Sequence, residues 1–246
     1  MGACRIVEGI GPELPDHYVG IISYAGRRLV TVTGDYIQDI EVIPIKSGRE
    51  QALIIETYPS GTLRSDKWSY ILVKRHGVHN IGILSGVNVS VGTGAVDGHP
   101  NLVDDNYLVF EGSADFCNAC SPWNIAIVFA WNGKYYSGAT RRFPDDSLVL
   151  AAKYRRNLIF DIHHYTVDDN NSGPKTHVEY DLATFYGNMA MIGRSPAAER
   201  WIIHHAPQDI RQWFLCYKND FDSRVMLWRG SAYQNDQESY NLSGGN

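Results

Sequence analysis

Residues 51–75, QALIIETYPSGTLRSDKWSYILVKR, contain the pattern on which the predicted fold of this chain rests. Two apolar runs, at 52–55 and 70–73, flank a polar segment that Pro59 and Gly61 interrupt. The branched side chains of both runs favour extended backbone, because they pack well on a pleated surface. The stretch therefore predicts two β-strands joined by a long hairpin.

Further short apolar runs on both sides of this hairpin predict more strands of the same kind. Asn132-Gly133 is the strongest hairpin signal, because both residues tolerate positive φ, and Pro44 marks an edge strand or a strand end. Residues 92–106 have the composition of a loop. The additional strands are predicted at residues 19–24, 29–32, 39–45, 77–91, 107–110, 124–131 and 134–136.

The hydrophobic period changes after residue 143, where apolar residues begin to recur at helical spacing. An Asp at 145 or 146 is expected to cap the first helix. Ser195 is expected to cap a later helix with Pro196 at its first position, and residues 168–174 are predicted to be a polar loop. The helical segments are predicted at about 146–162, 178–192, 195–205 and 207–217, with the middle two forming an αα-hairpin.

Together these patterns predict an α+β protein. Residues 1–144 are expected to form an antiparallel, β-rich domain that is either partly propeller-like or sandwich-like, and the helical segment at 145–233 is expected to pack against it. Residues 234–246 are a polar tail that is expected to fray.

The charge of the chain argues against binding to nucleic acid, and its hydropathy argues against a membrane-spanning segment. The net charge of -5 argues against nucleic acid, which needs a concentrated basic face, and the short basic clusters at 27–28, 141–142 and 153–156 are interpreted as solvated surface. No apolar run approaches the roughly 18 residues that span a bilayer. Gly2-Ala3-Cys4 is similar to the end of a bacterial lipobox, which allows a lipid anchor at Cys4; an ordinary cysteine is the alternative.

Cys117 and Cys120 form a CxxC between two predicted strands. A redox CxxC needs an ionised thiol, usually at a helix N-terminus after a strand, and this loop does not provide one. A disulfide across the loop is the favoured interpretation. Two free thiols, a catalytic pair and half of a zinc site are the alternatives.

Neither a metal nor a cofactor is predicted. Adjacent histidines on one helix point about 100° apart, so a site would need His164 and His205 to meet across packed helices, with Asp161 completing it. Asp104 and Asp105 are near Asp97 and His99 in sequence and provide a second, weaker candidate for a cation. No hydrolase, zinc-protease or P-loop motif is present.

Aromatic residues are abundant, and those in predicted loops or at strand ends are candidates for a recognition patch. Tyr and Trp dominate binding hot spots, which favours Tyr58, Trp68 and Trp123 as binding residues. Packing in the core is the alternative for each of them.

Three regions carry a resemblance to a known group: residues 54–61 with 68–74, residues 131–144, and residues 181–194 with 198–207. They resemble bacterial secreted or periplasmic proteins of unknown function that have degenerate FG-GAP-like β-repeats followed by a helical C-terminal segment. That group carries Asp-rich turns that bind Ca²⁺, but KSGRE stands at 46–50 here, so no Ca²⁺ site is carried over.

The resemblance and the absence of catalytic motifs predict a non-enzymatic binding or interaction protein of the bacterial envelope, periplasmic or secreted. Its partner is expected to be another protein or an envelope component. A narrower version is an inhibitor or immunity protein against a secreted toxin or enzyme. The alternative is an envelope enzyme, either a hydrolase or a thiol-disulfide protein that uses the CNAC motif at 117–120.

Overall fold

The structure is a computed structural model in which eleven strands precede four helices among the residues it describes. This is the predicted α+β class, with the strands N-terminal and the helices C-terminal. The described residues are 4–10, 18–24, 27–33, 36–45, 50–58, 67–74, 78–86, 88–107, 124–133, 136–165 and 172–229.

The strands form three sheets whose strands follow one another in chain order, without closing into a propeller. The first sheet contains β1–β3, the second β4–β7 and the third β8–β11. The strands are β1 (Cys4–Ile10), β2 (Tyr18–Tyr24), β3 (Arg27–Thr33), β4 (Tyr36–Ile45), β5 (Glu50–Tyr58), β6 (Lys67–Lys74), β7 (Val78–Gly86), β8 (Asn88–Val96), β9 (His99–Tyr107), β10 (Asn124–Trp131) and β11 (Tyr136–Gly138).

The hairpin predicted from residues 51–75 is confirmed as the antiparallel pair β5 and β6, with Ile54 opposite Ile71. Ile54 and Ile55 are both fully buried. The prediction for Pro44 is also confirmed, because Pro44 lies on β4 at the edge of its sheet. An edge strand tolerates proline, since it needs hydrogen bonds on one side only.

The prediction of a loop at 92–106 is wrong, because β8 and β9 occupy this region. The turn between them is Asp97-Gly98, and both residues have positive φ, at 50° and 76°. This two-residue connection is the kind that joins antiparallel strands with matching twist. The strand predicted over 77–91 is in fact two, since β7 ends at Gly86 and β8 begins at Asn88.

The four helices follow the predicted order, with shifts at their ends. Asp145 and Asp146 do not cap α1; they lie in its first turn, where a carboxylate favours the positive end of the helix dipole, and Pro144 is the N-cap. The loop predicted at 168–174 is partly helix, because α2 begins at Ser172. Pro174 is tolerated in the first turn of α2, where a backbone N–H would have no partner within the helix. The helices are α1 (Asp145–His164), α2 (Ser172–Met191), α3 (Ser195–His205) and α4 (Gln208–Arg229).

Gly193 separates α2 from α3, as the sequence indicates. Its φ is 80°, a conformation that glycine adopts without strain. The Gly193 amide donates to the Ala190 carbonyl at 2.9 Å, and the Arg194 amide donates to the Met189 carbonyl at 2.8 Å. This pattern satisfies two of the last carbonyls of α2 and ends the helix.

The chain divides into two compact units. Of the described residues, those from 4 to 104 and at 129–133 and 136–137 belong to the strand unit, and those at 105–107, 124–128, 138–165 and 172–229 belong to the helical unit. In the strand unit, the buried Glu56 carboxylate accepts a hydrogen bond of 3.1 Å from the Val89 amide.

In the helical unit, α2 packs against each of the other three helices. Its residues from 182 to 188 are all buried, so this segment is packed around its whole circumference rather than on one face. The other helices bury one stripe each. The stripes contain Ser147, Ala151, Tyr154 and Leu158 of α1, Ala198 and Ile202 of α3, and Ile210, Phe214, Phe221 and Val225 of α4.

Candidate functional site

The structure places the backbones of two predicted recognition residues at the same end of one strand pair. Tyr58 is the last residue of β5, and Trp68, the second residue of β6, lies opposite Thr57. The third, Trp123, lies outside the described residues, as do Cys117 and Cys120. Cys4 is the first residue of β1 and is paired with Tyr24 of β2.

His164 and His205 end α1 and α3, respectively, and make the same local contact there. In each ring Nδ1 lies 2.7 Å from the carbonyl oxygen four residues earlier, that of Phe160 or Trp201, and the ring packs on the aromatic ring of that same residue. Among the residues that the structure describes, no group of three or more His, Cys, Asp or Glu side chains can hold a metal ion. The two histidines and Asp161 therefore do not assemble the site considered from the sequence.

The second cation candidate is also not assembled among the described residues, and three of its members, His99, Asp104 and Asp105, lie on β9 rather than in a loop. His99 and Asp104 are buried, and the His99 ring stacks on Trp131 with 4.3 Å between ring centroids. Next to them, the buried Asn101 amide donates to the Thr93 carbonyl at 2.9 Å. Buried polar residues on a strand explain why this part of the sequence has the composition of a loop.

The side of α1 opposite its buried stripe is an exposed surface with large apolar side chains. Val149 is 66% exposed and Phe160 is 63% exposed. Ala152, Arg156 and His163 are exposed as well. These five residues, at spacings of 3, 4, 4 and 3, lie on one face of the helix, which we name the α1 outer face. The sequence predicts a helix at about 146–162, and Val149 and Ala152 lie on the side of it that the structure leaves exposed.

The charge of the α1 outer face is positive and comes chiefly from Arg156. The neighbouring basic residues are directed elsewhere: the Arg155 guanidinium lies 5.3 Å from the centroid of the Trp201 ring, and the Lys153 amino group lies 5.3 Å from that of Tyr154. The basic cluster predicted at 153–156 therefore divides between a packing role and the exposed face.

On its side towards α2, α1 contributes to a group of half-buried carboxyls. Burial raises the pKa of Asp181 on α2 to about 7, and a hydrogen-bonded neighbour, Asp161 on α1, raises it further by its charge. A hydrogen bond with Asn157 and the charge of Lys153 act in the opposite direction. The sequence gives no sign of this pair, because its members lie on different helices.

The same group continues to the end of β9. Burial raises the pKa of Asp105, with a further increase from Asp146 and a decrease from Lys153. Burial also raises the pKa of Tyr154 to about 12, and the charges of Asp181 and Asp105 add to this. Lys153 thus acts on carboxyls of both β9 and α2.

A second polar network connects α2, α3 and α4. The Tyr186 hydroxyl donates to one oxygen of Asp222 at 2.6 Å, and the Lys218 amino group contacts the other oxygen at 3.0 Å and Glu199 at 3.6 Å. Burial and the hydrogen bond to Asp222 raise the pKa of Tyr186 above its usual range. Because every member has a partner, this network is interpreted as structural.

Side chains of the helical unit complete the hydrogen bonds of β10. Asn188 of α2 accepts from the Ala126 amide at 3.1 Å and donates to the Asn124 carbonyl at 2.8 Å and to the Thr184 carbonyl at 3.0 Å. The Thr140 hydroxyl accepts from the Val128 amide at 2.9 Å. A single asparagine in the apolar stretch LATFYGNMAM is the signal that sequence analysis missed.

No helix in the described part of the chain is both long and apolar enough to cross a membrane. Comparison of the chain with protein-family models, with curated proteins and with solved structures finds no match.

Proposed function

We propose that this chain is a non-enzymatic binding protein that captures a protein partner on the α1 outer face. The observation that carries the proposal is the exposure of Val149 and Phe160 on one stripe of a helix whose other side is fully packed. Apolar side chains repeated along one face of a helix are the anchors by which helices bind grooves in protein surfaces. Exposed apolar side chains grouped in this way favour an interaction site over ordinary surface.

Charge identifies the kind of partner. Arg156 lies between the two apolar anchors and His163 follows them, in a chain whose net charge is -5. A surface with an apolar cleft and an acidic rim complements this arrangement, because opposite charges at the rim steer the encounter and reject wrong partners. We therefore commit to an acidic protein surface as the partner.

This proposal can be tested by selecting binders from a phage library of random peptides. The selection does not require the natural partner to be known. Peptides recovered on the wild-type protein are expected to combine Asp or Glu with Phe, Leu or Trp. Their binding should weaken as salt is raised, since exposed charges are screened within about 8 Å at physiological ionic strength. Peptides without acidic enrichment, or peptides that bind equally well to Val149→Ser/Phe160→Ser, would contradict it.

The envelope location, the lipid anchor at Cys4 and the narrower role of inhibitor or immunity protein remain proposals that rest on the resemblance and on Gly2-Ala3-Cys4. A binding protein that captures its partner on the α1 outer face is compatible with each of them. Tyr58 and Trp68 remain candidates for a second contact region in the strand unit.

The alternative of a thiol-disulfide enzyme predicts an activated thiol at Cys117. We expect instead that both Cys117 and Cys120 react slowly with an alkylating probe at pH 6 after reduction, as ordinary thiols do. Peptide mapping by mass spectrometry is needed to read the two sites, because Cys216 on α4 is free and exposed. Replacing both by Ser should cost about 1 to 3 kcal/mol if they form a short-loop disulfide. Rapid alkylation at pH 6, with reductase activity that Cys117→Ser abolishes, would favour the enzyme.

A further inference from the structure

We propose that Arg155, held on the ring of Trp201, binds a side-chain carboxylate of the acidic partner and so extends the binding site from α1 to α3. This inference rests on the proposed function and adds to it a residue that determines specificity. The Arg155 guanidinium lies 5.3 Å from the centroid of the Trp201 ring, and the two residues belong to different helices. By contrast, the contact of Lys153 with Tyr154 joins neighbours in sequence. Arg155 is therefore positioned by a second helix and not only by its own.

The Trp201 ring is a rigid support for Arg155, because two other rings contact it. Phe185 of α2, which is buried, meets Trp201 edge-on with 5.4 Å between ring centroids. His205, one turn later on α3, stacks on Trp201 with 4.5 Å between centroids and 10° between the ring planes. A side chain that is already ordered loses less conformational entropy on binding, so a guanidinium placed in this way is preorganised for its ligand.

The charge of Arg155 is available to a ligand. Arg155, Arg156 and Arg200 are exposed, and none of the three forms an ion pair with a carboxylate in the described part of the chain. Contact with the face of an aromatic ring uses none of the N–H groups of a guanidinium, which lie in its own plane. Two of these N–H groups match the two oxygens of a carboxylate. A carboxylate is therefore the ligand that fits Arg155.

Arg155 lies where a partner bound to the α1 outer face can reach it. It follows Ala152 of that face by three residues and precedes Ile159, which is 40% exposed, by four, so these side chains are neighbours on the helix surface. A partner segment that covers Ala152 and Phe160 passes beside Arg155 and the half-buried Trp201. Trp and Arg are enriched among the residues that dominate binding energy.

A double-mutant cycle tests the inference with one acidic peptide selected on the wild-type protein. Each Asp or Glu of the peptide is changed in turn to the matching amide, and dissociation constants are measured by isothermal titration calorimetry for wild type and Arg155→Gln. On wild type, one of these changes should weaken binding about fivefold, the upper end of the range for an exposed ion pair. On Arg155→Gln the parent peptide should already bind about fivefold more weakly, and the same amide change should then have less than about a twofold effect.

Arg194→Gln is the matched control, because Arg194 is exposed and the change removes the same charge at the opposite end of α3. It should bind the parent peptide like wild type. Arg155→Lys keeps the charge but should recover little of the lost affinity, because an ammonium lacks the planar, bidentate geometry. Binding by Arg155→Gln that is no weaker than by Arg194→Gln, or equal binding by Arg155→Lys and wild type, would overturn the inference.

The result can be separated from the outcome for the proposed function by including Phe160→Ser. Loss of the peptide in Phe160→Ser with unchanged binding in Arg155→Gln would leave the α1 outer face as the site and overturn the role of Arg155. Unchanged binding in both variants would contradict the proposed function and this inference together.

Discussion

Replacing Asn188 by leucine is expected to lower the free energy of unfolding by about 4 kcal/mol, although the two side chains have similar volume. The variant leaves the Ala126 amide and the Asn124 carbonyl without the partners that Asn188 provides. Each buried backbone group that loses its partner costs about 1 to 3 kcal/mol. Urea unfolding followed by circular dichroism at 222 nm measures the effect, because all four helices lie in the helical unit.

Thr184→Val is the matched control for Asn188→Leu. Thr184 lies one turn earlier on α2 and is also fully buried, and its hydroxyl has no hydrogen-bond partner among the described residues. Removing this hydroxyl should leave stability unchanged or raise it by up to about 1 kcal/mol, since no hydrogen bond is lost. A loss from Asn188→Leu no larger than that from Thr184→Val would show that Asn188 does not hold β10.

Phe214→Ala is expected to cost about 3 to 5 kcal/mol, the usual range for a buried phenylalanine. Phe214 of α4 is fully buried and meets the Tyr186 ring edge-on, with 5.0 Å between centroids. It also contacts Phe221, so its removal opens a cavity in the aromatic cluster between α2 and α4. The same urea titration provides the measurement.

Leu215→Ala is the control for Phe214→Ala, because Leu215 is the next residue of α4 and is 50% exposed. Its removal should change stability by no more than about 0.5 kcal/mol. Similar losses at the two positions would contradict the placement of the buried stripe of α4.

The parts of the fold that could be predicted from the sequence are those in which local pattern and burial agree. The β5–β6 hairpin is one of them, because apolar runs interrupted by Pro59 and Gly61 indicate the same strands that the structure pairs. In β9 the local pattern and the burial disagree. His99, Asn101 and Asp104 are polar residues of the kind that indicates a loop, but all three are buried. The turn at Asp97-Gly98 was the available signal for that strand.

The candidate site was less predictable, because its features depend on which side of a helix is packed. The spacing of apolar residues predicts a helix at α1, but it does not show which side of the helix is buried. In the structure, Val149 and Phe160 are exposed, whereas Ser147 is buried. The Asp161–Asp181 pair joins two helices, and no spacing within the sequence connects them. Trp123, Cys117 and Cys120 lie outside the described residues, so their assignments remain predictions.

The dissociation constant of one selected acidic peptide for three proteins tests the central claim, that the α1 outer face is the binding site. Wild type, Phe160→Ser and Met226→Ser are compared by isothermal titration calorimetry. Met226 on α4 is the matched control, since it is 69% exposed and Phe160 is 63% exposed. Loss of a hot-spot side chain costs about 2 kcal/mol or more, so Phe160→Ser should weaken binding by about thirtyfold or more. Met226→Ser should bind like wild type. Equal affinities for wild type and Phe160→Ser, or a larger loss in Met226→Ser, would contradict the account.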